Sequence, residues 1–230
     1  MTRAADPGDR RARPSADGGH SGADPGSSAQ FRSVPILETE RLVLREFRID
    51  DLDALVSTMR DPAVVRHLAI DPQGREDVWR RLLLAAGQWP LLGLGYWAVT
   101  TRLGGPVIGQ IGFCDFQRDM EPDISGLPEM GWIFDSSVHG QGYAHEAGTA
   151  ALAWADANLG PVEIPAIISL DNAPSMKLAE RLGFVRDADG QYHEEAIALF
   201  RRPPQDPTKL LKSVFASRLT ETDSRTPQSR

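Results

Sequence analysis

Residues 136–160 read SSVHGQGYAHEAGTAALAWADANLG, a glycine-punctuated hinge set directly before an alanine-rich run. The first amides of a helix have no partner within it, and a glycine loop ahead of them lets a ligand approach closely. His139, Gly140, Gln141 and Gly142, followed by a helix start at Tyr143, therefore make a ready anion site. Ala144, Ala147, Ala151 and Ala155 recur at three- and four-residue spacing, a small-residue face that can lie close on a sheet. Glu146 falls in the first turn, where the helix dipole favours a carboxylate. Asn158-Leu159-Gly160-Pro161 supplies the stop. A helix that merely needs a tight turn ahead of it would carry the same residues, so this stretch alone leaves both readings open.

On either side lie β-rich runs, EMGWIF at 129–134 and IPAIISL at 164–170. A helix crossing between two such strands normally makes them parallel neighbours. Upstream, ILETERLVLREF alternates as a strand, and RIDDLDALVSTMRD follows with Asp50 or Asp51 as cap before Leu52, Leu55, Val56 and Met59. DPAVVRHLA and REDVWRRLLLAAGQWP read as helices, the second with Val78, Leu82 and Ala85 or Ala86 on one stripe. GYWAVTT and PVIGQIGFCDF flank the turn signal RLGGP and predict a hairpin. Downstream, NAPSMKLAERLGF is a short helix starting at Asn172 or Ala173 and stopped by Gly183, and YHEEAIALF is a closing strand. The order β, α, α, β, β, β, α, β, α, β is a mixed α/β domain.

That domain spans residues 35–203. Residues 1–34 hold prolines, glycines and serines without an apolar cluster and are expected to be disordered. Residues 204–230 form a tail in which Leu211, Phe215 and Leu219 allow a short amphipathic helix. No apolar leader or membrane-length run occurs, so a cytoplasmic location is expected. The net charge of −7 disfavours nucleic-acid and membrane binding and suits a cationic partner. The single cysteine, Cys114, sits in a strand pattern and reads as packing.

Two motifs look like chemistry and fail on context. GLGYWA at 93–98 matches a dinucleotide fingerprint, but a strand follows where a helix is required. HEAGT at 145–149 begins like a zinc-protease helix but has Thr149 in place of the second histidine. His20, His67, His139 and His193 show no ligand spacing, so no metal is expected.

EMGWIF, HGQGYAHEA and NAPSMKLAERLGF occur in the order of the GNAT superfamily of acetyl-CoA-dependent N-acetyltransferases, which the chain resembles from about Ile36 to Arg202. LETERLVLREFRIDDLDAL, GQIGF and the Gly-Gln-Gly-Tyr-Ala hinge look most like the branch that acetylates N-terminal alanines of ribosomal proteins. The resemblance implies a mixed central sheet with a V-shaped splay between two parallel strands and helices on both faces. It also implies that the pyrophosphate of coenzyme A rests on His139, Gly140, Gln141, Gly142, Tyr143 and Ala144. The family often has Arg or Gln where His139 stands, so the backbone is expected to carry that contact. Trp132, Ile133 and Phe134 would line the pantetheine arm, and Asn172 would steady it or simply cap its helix.

The attacking amine must lose a proton, and Glu129, leading the central strand, is the implied base; an exposed strand-end carboxylate is the alternative. The tyrosine that many members use to protonate the leaving thiolate is replaced by Ala179, and Ser175 matches the serine of the resembling branch, or is an ordinary first-turn serine. Segment 117–129 carries Asp119, Glu121, Asp123 and Glu129 against Arg118, a negative bias at the expected substrate mouth unless it is a solvated loop. The expected acceptor is a peptide or protein N-terminal α-amine. A small cationic amine (an aminoglycoside, polyamine or amino acid) is the second reading, and a non-catalytic acyl-CoA-binding module or a homodimer is left open.

Overall fold

The computed structural model describes residues 33–68, 72–193 and 195–205; both tails, with the disorder and helix expected of them, lie outside the described residues. The opening run forms two strands rather than one, β1 (Leu37–Glu38) and β2 (Leu42–Arg45), because the chain turns between them with Thr39 Oγ1 accepting from Leu42 N at 2.9 Å. A 3-10 turn leads into α1 (Leu52–Arg60). Asp51 does not cap it by side chain, since that carboxylate accepts two bonds from Arg45, at 2.8 and 2.7 Å, and one from Arg48 N. The short α2 (Pro62–Val65) is capped by Asp61, with proline at a position that needs no N–H donor. Helix α3 (Arg75–Leu92) runs past Pro90 to a left-handed cap at Gly93, whose N–H bonds Trp89 O at 2.9 Å.

Strands β3 (Tyr96–Thr101), β4 (Gly109–Cys114) and β5 (Glu129–Phe134) follow. Together β1 to β5 form an antiparallel sheet in chain order. Helix α4 (Tyr143–Asn158) crosses to β6 (Ile164–Ser169), and α5 (Ala173–Arg181) leads to β7 (Val185–Tyr192) and β8 (Glu195–Arg202). These last three strands make a second antiparallel sheet, ordered β6-β8-β7. Strand β7 escapes the sequence pattern: VRDADGQY is mostly polar because β7 lies at the edge of the small sheet, laddered with β8 and bridged only at Gln191 to Glu121, and is mostly exposed.

The larger sheet is covered on both faces. Alternate β3 residues divide the work: Trp97 and Val99 pack with Ala147, Ala151 and Ala155 of α4, whereas Ala98 packs with Leu52, Leu55, Val56 and Met59 of α1 and Val78 and Leu82 of α3. Of the alanine stripe of α4, Ala147, Ala151 and Ala155 are buried as the spacing predicts, and Ala144 at its start is half-buried. Trp89, Trp97 and Trp154 meet edge to face at 4.7, 5.1 and 5.3 Å between centroids, locking α3, β3 and α4 together. Such pairs add about 0.5–1.5 kcal/mol each beyond area burial. Arg202 holds Asp156 through two 2.7 Å bonds, tying the small sheet to α4.

Strands β5 and β6 lie side by side but share no hydrogen-bond ladder. The gap between the two sheets is the expected splay, and it leaves edge amides and carbonyls of both strands open to a ligand.

Candidate active site

The splay opens into a cleft of about 670 Å³ whose lining includes Glu129, Trp132, Ile133, Asn172 and Ser175. Five of the expected site residues thus meet in one cavity, drawn from β5 and from the start of α5. Phe134 does not join them. Its side chain is 6% exposed and packs over Gly109, where an added Cβ would stand 2.4 Å from the ring.

The hinge lies beyond β5 and outside the cleft lining. Asp135 accepts from Ser137 N and caps a single 3-10 turn, Ser136–Val138. Gly140 and Gly142 then take φ of 74° and 81°, the left-handed region that costs side-chain-bearing residues energy. Both hinge side chains, though exposed, bond carbonyls of the chain itself: His139 Nε2 donates to Phe134 O at 3.0 Å, and Gln141 Nε2 donates to Ser137 O at 2.8 Å. The first α4 bond runs from Glu146 N to Gly142 O at 3.0 Å, so the amides of Tyr143 and Ala144 precede the ladder. Backbone alone therefore presents the donors, and this fits a pyrophosphate group.

Sequence reasoning missed how the hinge is braced. Glu146 does more than complement the dipole: its carboxylate accepts from Thr39 Oγ1 at 2.5 Å, Arg41 N at 2.8 Å and Arg41 Nε at 2.6 Å. Those bonds hold its carboxyl below the usual range, against the effect of partial burial. Arg41 also donates to Gln141 O at 3.0 Å and covers the Tyr143 ring at 4.4 Å. Neither contact has a local signal, since about a hundred residues separate the partners.

Glu129, the implied base, lies on the cleft wall. It is 4% exposed, not an exposed strand-end carboxylate. Arg118 grips it with Nε to Oε2 at 2.5 Å and Nη2 to Oε1 at 2.9 Å. The Arg118 guanidinium is itself packed between the rings of Phe116 and Tyr192, at 4.7 and 4.5 Å. Burial pushes the Glu129 carboxyl above the usual carboxylate range, and the Arg118 charge pulls against it. A buried carboxylate in a cleft, with a raised proton affinity, is what a general base for an amine requires.

The acidic segment has a different role from the one expected. Asp119, Glu121 and Asp123 are exposed and do not line the cleft, Asp123 accepting from Ser125 N in its own turn. The segment is held on the small sheet by Ile124, 3% exposed beside Ile197 and Leu199.

At the other wall, Asn172 Oδ1 accepts from Ser175 N at 3.1 Å, capping α5. Trp132 Nε1 donates to Ser175 Oγ at 3.3 Å, which leaves the hydroxyl proton free to be given away. Ala179 is fully buried in the core and carries no donor. Cys114 is buried in β4, and burial pushes its thiol up to about 11, consistent with packing.

Tyr96 is a further cleft residue that the sequence did not single out. Its hydroxyl reaches across to β5 and stands 2.0 Å from where a Cβ on Gly131 would be.

Comparison with known proteins agrees with this geometry. The sequence model of the acetyltransferase (GNAT) domain matches residues 41–185. The uncharacterized N-acetyltransferase p20 of Bacillus licheniformis is 27% identical over 161 residues, covering 70% of this chain and 88% of that protein. A GNAT-family acetyltransferase structure from Bordetella pertussis is 31% identical, with TM-score 0.65 over 74% of this chain and 99% of the other. The ribosomal-protein-S5-alanine acetyltransferase of Vibrio fischeri, at 19% identity and TM-score 0.59, covers 75% of this chain and 98% of its own and shares the fold. With its splayed strands, glycine hinge and cleft carboxylate in the matched region, the chain belongs to the GNAT family of N-acetyltransferases.

Proposed function

We propose that the protein transfers acetyl from acetyl-CoA to the N-terminal α-amine of a peptide or protein. The observation that carries this reading is Glu129, buried on the cleft wall beside the splay and fixed by Arg118. An α-amine has a reference pKa of about 7.7–8.0 against about 10.4 for lysine, so a carboxylate of modestly raised proton affinity suits it far better. Acetyl-CoA would rest its pyrophosphate on His139, Gly140, Gln141, Gly142, Tyr143 and Ala144 and its pantetheine along β5 at Trp132 and Ile133, with Asn172 at the far wall and the Phe134 side chain packed away over Gly109. Glu129 takes the amine proton, and Ser175 donates to the departing sulfur.

The cleft's charge also bears on the second reading, a small cationic amine. The acidic loop faces solvent, the Glu129 charge is matched by Arg118, and Arg81 and Glu195 add one charge of each sign to the cleft lining, which is therefore close to neutral. That lining offers little attraction to a polycation. A thiol-release screen of N-terminal peptides against polyamines, aminoglycosides and amino acids tests the preference. Turnover with peptides that varies weakly with salt is expected. Efficient turnover of small amines with none of peptides would overturn it.

A further inference from the structure

We propose that Tyr96 is a catalytic residue of this site, its hydroxyl donating a hydrogen bond to the oxygen of the thioester carbonyl during acetyl transfer. The inference rests on the acetyl-transfer reading above. It begins with GLGYWA, the motif that fails as a dinucleotide fingerprint: its glycine and tyrosine serve the cleft instead. Tyr96 pairs with Gly112 on β4, and Gly112 pairs with Gly131 on β5, so a tyrosine heads a row whose next two positions carry no side chain. Both glycines are needed. A Cβ on Gly112 would stand 2.4 Å from Tyr96 Cα, and one on Gly131 would stand 2.0 Å from the hydroxyl oxygen and 3.2 Å from the ring carbon that bears it. The phenol thereby spans from β3 to the strand at the splay.

Its position is fixed before any ligand arrives. Tyr96 N donates to Gln88 Oε1 at 3.1 Å, and Tyr96 O accepts from Trp89 Nε1 at 3.1 Å, so two buried side chains of α3 hold both backbone polar groups. At Gly95 an added Cβ would meet the Trp89 ring at 2.7 Å, so this brace needs glycine there too. The hydroxyl makes no hydrogen bond among the described residues. Burial pushes the phenol above its ordinary range, with the Glu129 carboxylate adding to the shift. The group stays neutral and protonated, a donor and not a base. Glu129 and Gly131 share one face of β5, which puts the Tyr96 hydroxyl and the base on the same side of the strand.

The step balances with the groups already named. The amine lone pair forms the N–C bond while the carbonyl π pair moves onto oxygen, where Tyr96 O–H meets the developing charge. The oxygen pair returns, the C–S bond breaks, sulfur leaves with its pair as a thiolate that accepts a hydrogen bond from Ser175, and the nitrogen proton passes to Glu129. Glu129 returns its proton to solvent, the thiolate takes one from solvent, and amide and free coenzyme A result with Ser175 unchanged.

Tyr96→Phe keeps the ring and removes only the donor. With the best amine of the screen, kcat is expected to fall about 10²–10³-fold, as for loss of one oxyanion donor, while the KM for acetyl-CoA and the melting temperature stay unchanged. Gly131→Ala, which pushes the hydroxyl away, should lower kcat in the Tyr96 chain, and combined with Tyr96→Phe it should cost little more than Tyr96→Phe alone. Tyr96→Phe with kcat within twofold of the parent, or losses that multiply in the double variant, would overturn the inference alone. Absence of amine-dependent thiol release by the parent chain would overturn it together with the acetyl-transfer reading.

Discussion

The hinge at residues 139–146 and the cleft wall around Glu129 do their work by opposite means. The hinge presents backbone amides, and its two polar side chains, His139 and Gln141, are turned onto the chain's own carbonyls. The cleft wall presents side chains, and its charge is set by a guanidinium eleven residues away and by burial. A site made of backbone depends on local φ and helix phase, so it tolerates change in side chains but not in glycines. A site made of a buried ion pair is indifferent to local conformation and intolerant of losing either partner. Each contrast can be broken at one residue.

The largest effect is expected at Arg118. Its side chain and that of Glu129 are 17% and 6% exposed, so Arg118→Met leaves an uncompensated carboxylate in the interior. Breaking such a pair costs about 3–5 kcal/mol, read by urea denaturation, and adding Glu129→Gln to the same chain should restore most of it. A loss under about 1 kcal/mol would show that the pair is not buried in solution. The same change has a signature in pH. A base must be ionised, so kcat falls as pH drops through the Glu129 pKa, which burial places above the reference carboxyl of about 4.3. Removing Arg118 takes away the influence that opposes burial, so the acid limb of the kcat profile should move to higher pH. A limb that stays put would take Glu129 out of the proton path.

At the hinge the prediction is Gly142→Val. With φ at 81°, a β-branched residue costs about 1–2 kcal/mol of strain or forces the loop to rearrange. Space is not the obstacle, because an added Cβ meets only Arg41 Nη2 at 3.5 Å. Calorimetry should show coenzyme A binding weakened at least tenfold, about 1.4 kcal/mol. Unchanged affinity would remove the hinge from the cofactor site.

This contrast also explains what could be read in the sequence. Hinge, alanine stripe, strand β5 and the α5 start are each contained within a few consecutive residues, and the periodicity or turn chemistry of those residues places them. Arg118, Arg41 and Tyr96 act across 11, 105 and 35 residues of chain, and nothing in their own neighbourhoods distinguishes them from solvated charges or a strand aromatic. Counting charge along segment 117–129 put the carboxylates at the substrate mouth, because a linear count cannot see that Asp119 and Glu121 face water while Glu129 faces Arg118. Strand β7 was hidden for a related reason: its inward positions, Ala188, Gly190 and Tyr192, are only half-buried, which leaves too weak an alternation to read.

The smallest expected effect is at Ser175, where the two kinds of construction meet. Its amide is part of a backbone cap, held by Asn172 Oδ1, while its hydroxyl is a side-chain device facing Trp132 on β5. Ser175→Ala leaves the cap intact, because Asn172 bonds the amide and not the hydroxyl, so stability should be nearly unchanged. A coenzyme A thiol resembles the reference thiol of pKa about 8.5, and its thiolate departs readily near neutral pH without full proton transfer. The donor is therefore worth less than the 10²–10⁴-fold typical of general acids, and about tenfold in kcat is expected. KM for acetyl-CoA should hardly move, since charge develops on sulfur only as the bond breaks. The loss should grow with pH, as solvent protons that could substitute for the serine become scarcer. A variant with full kcat at every pH would reduce Ser175 to a first-turn residue of α5 and leave the thiolate to depart unaided.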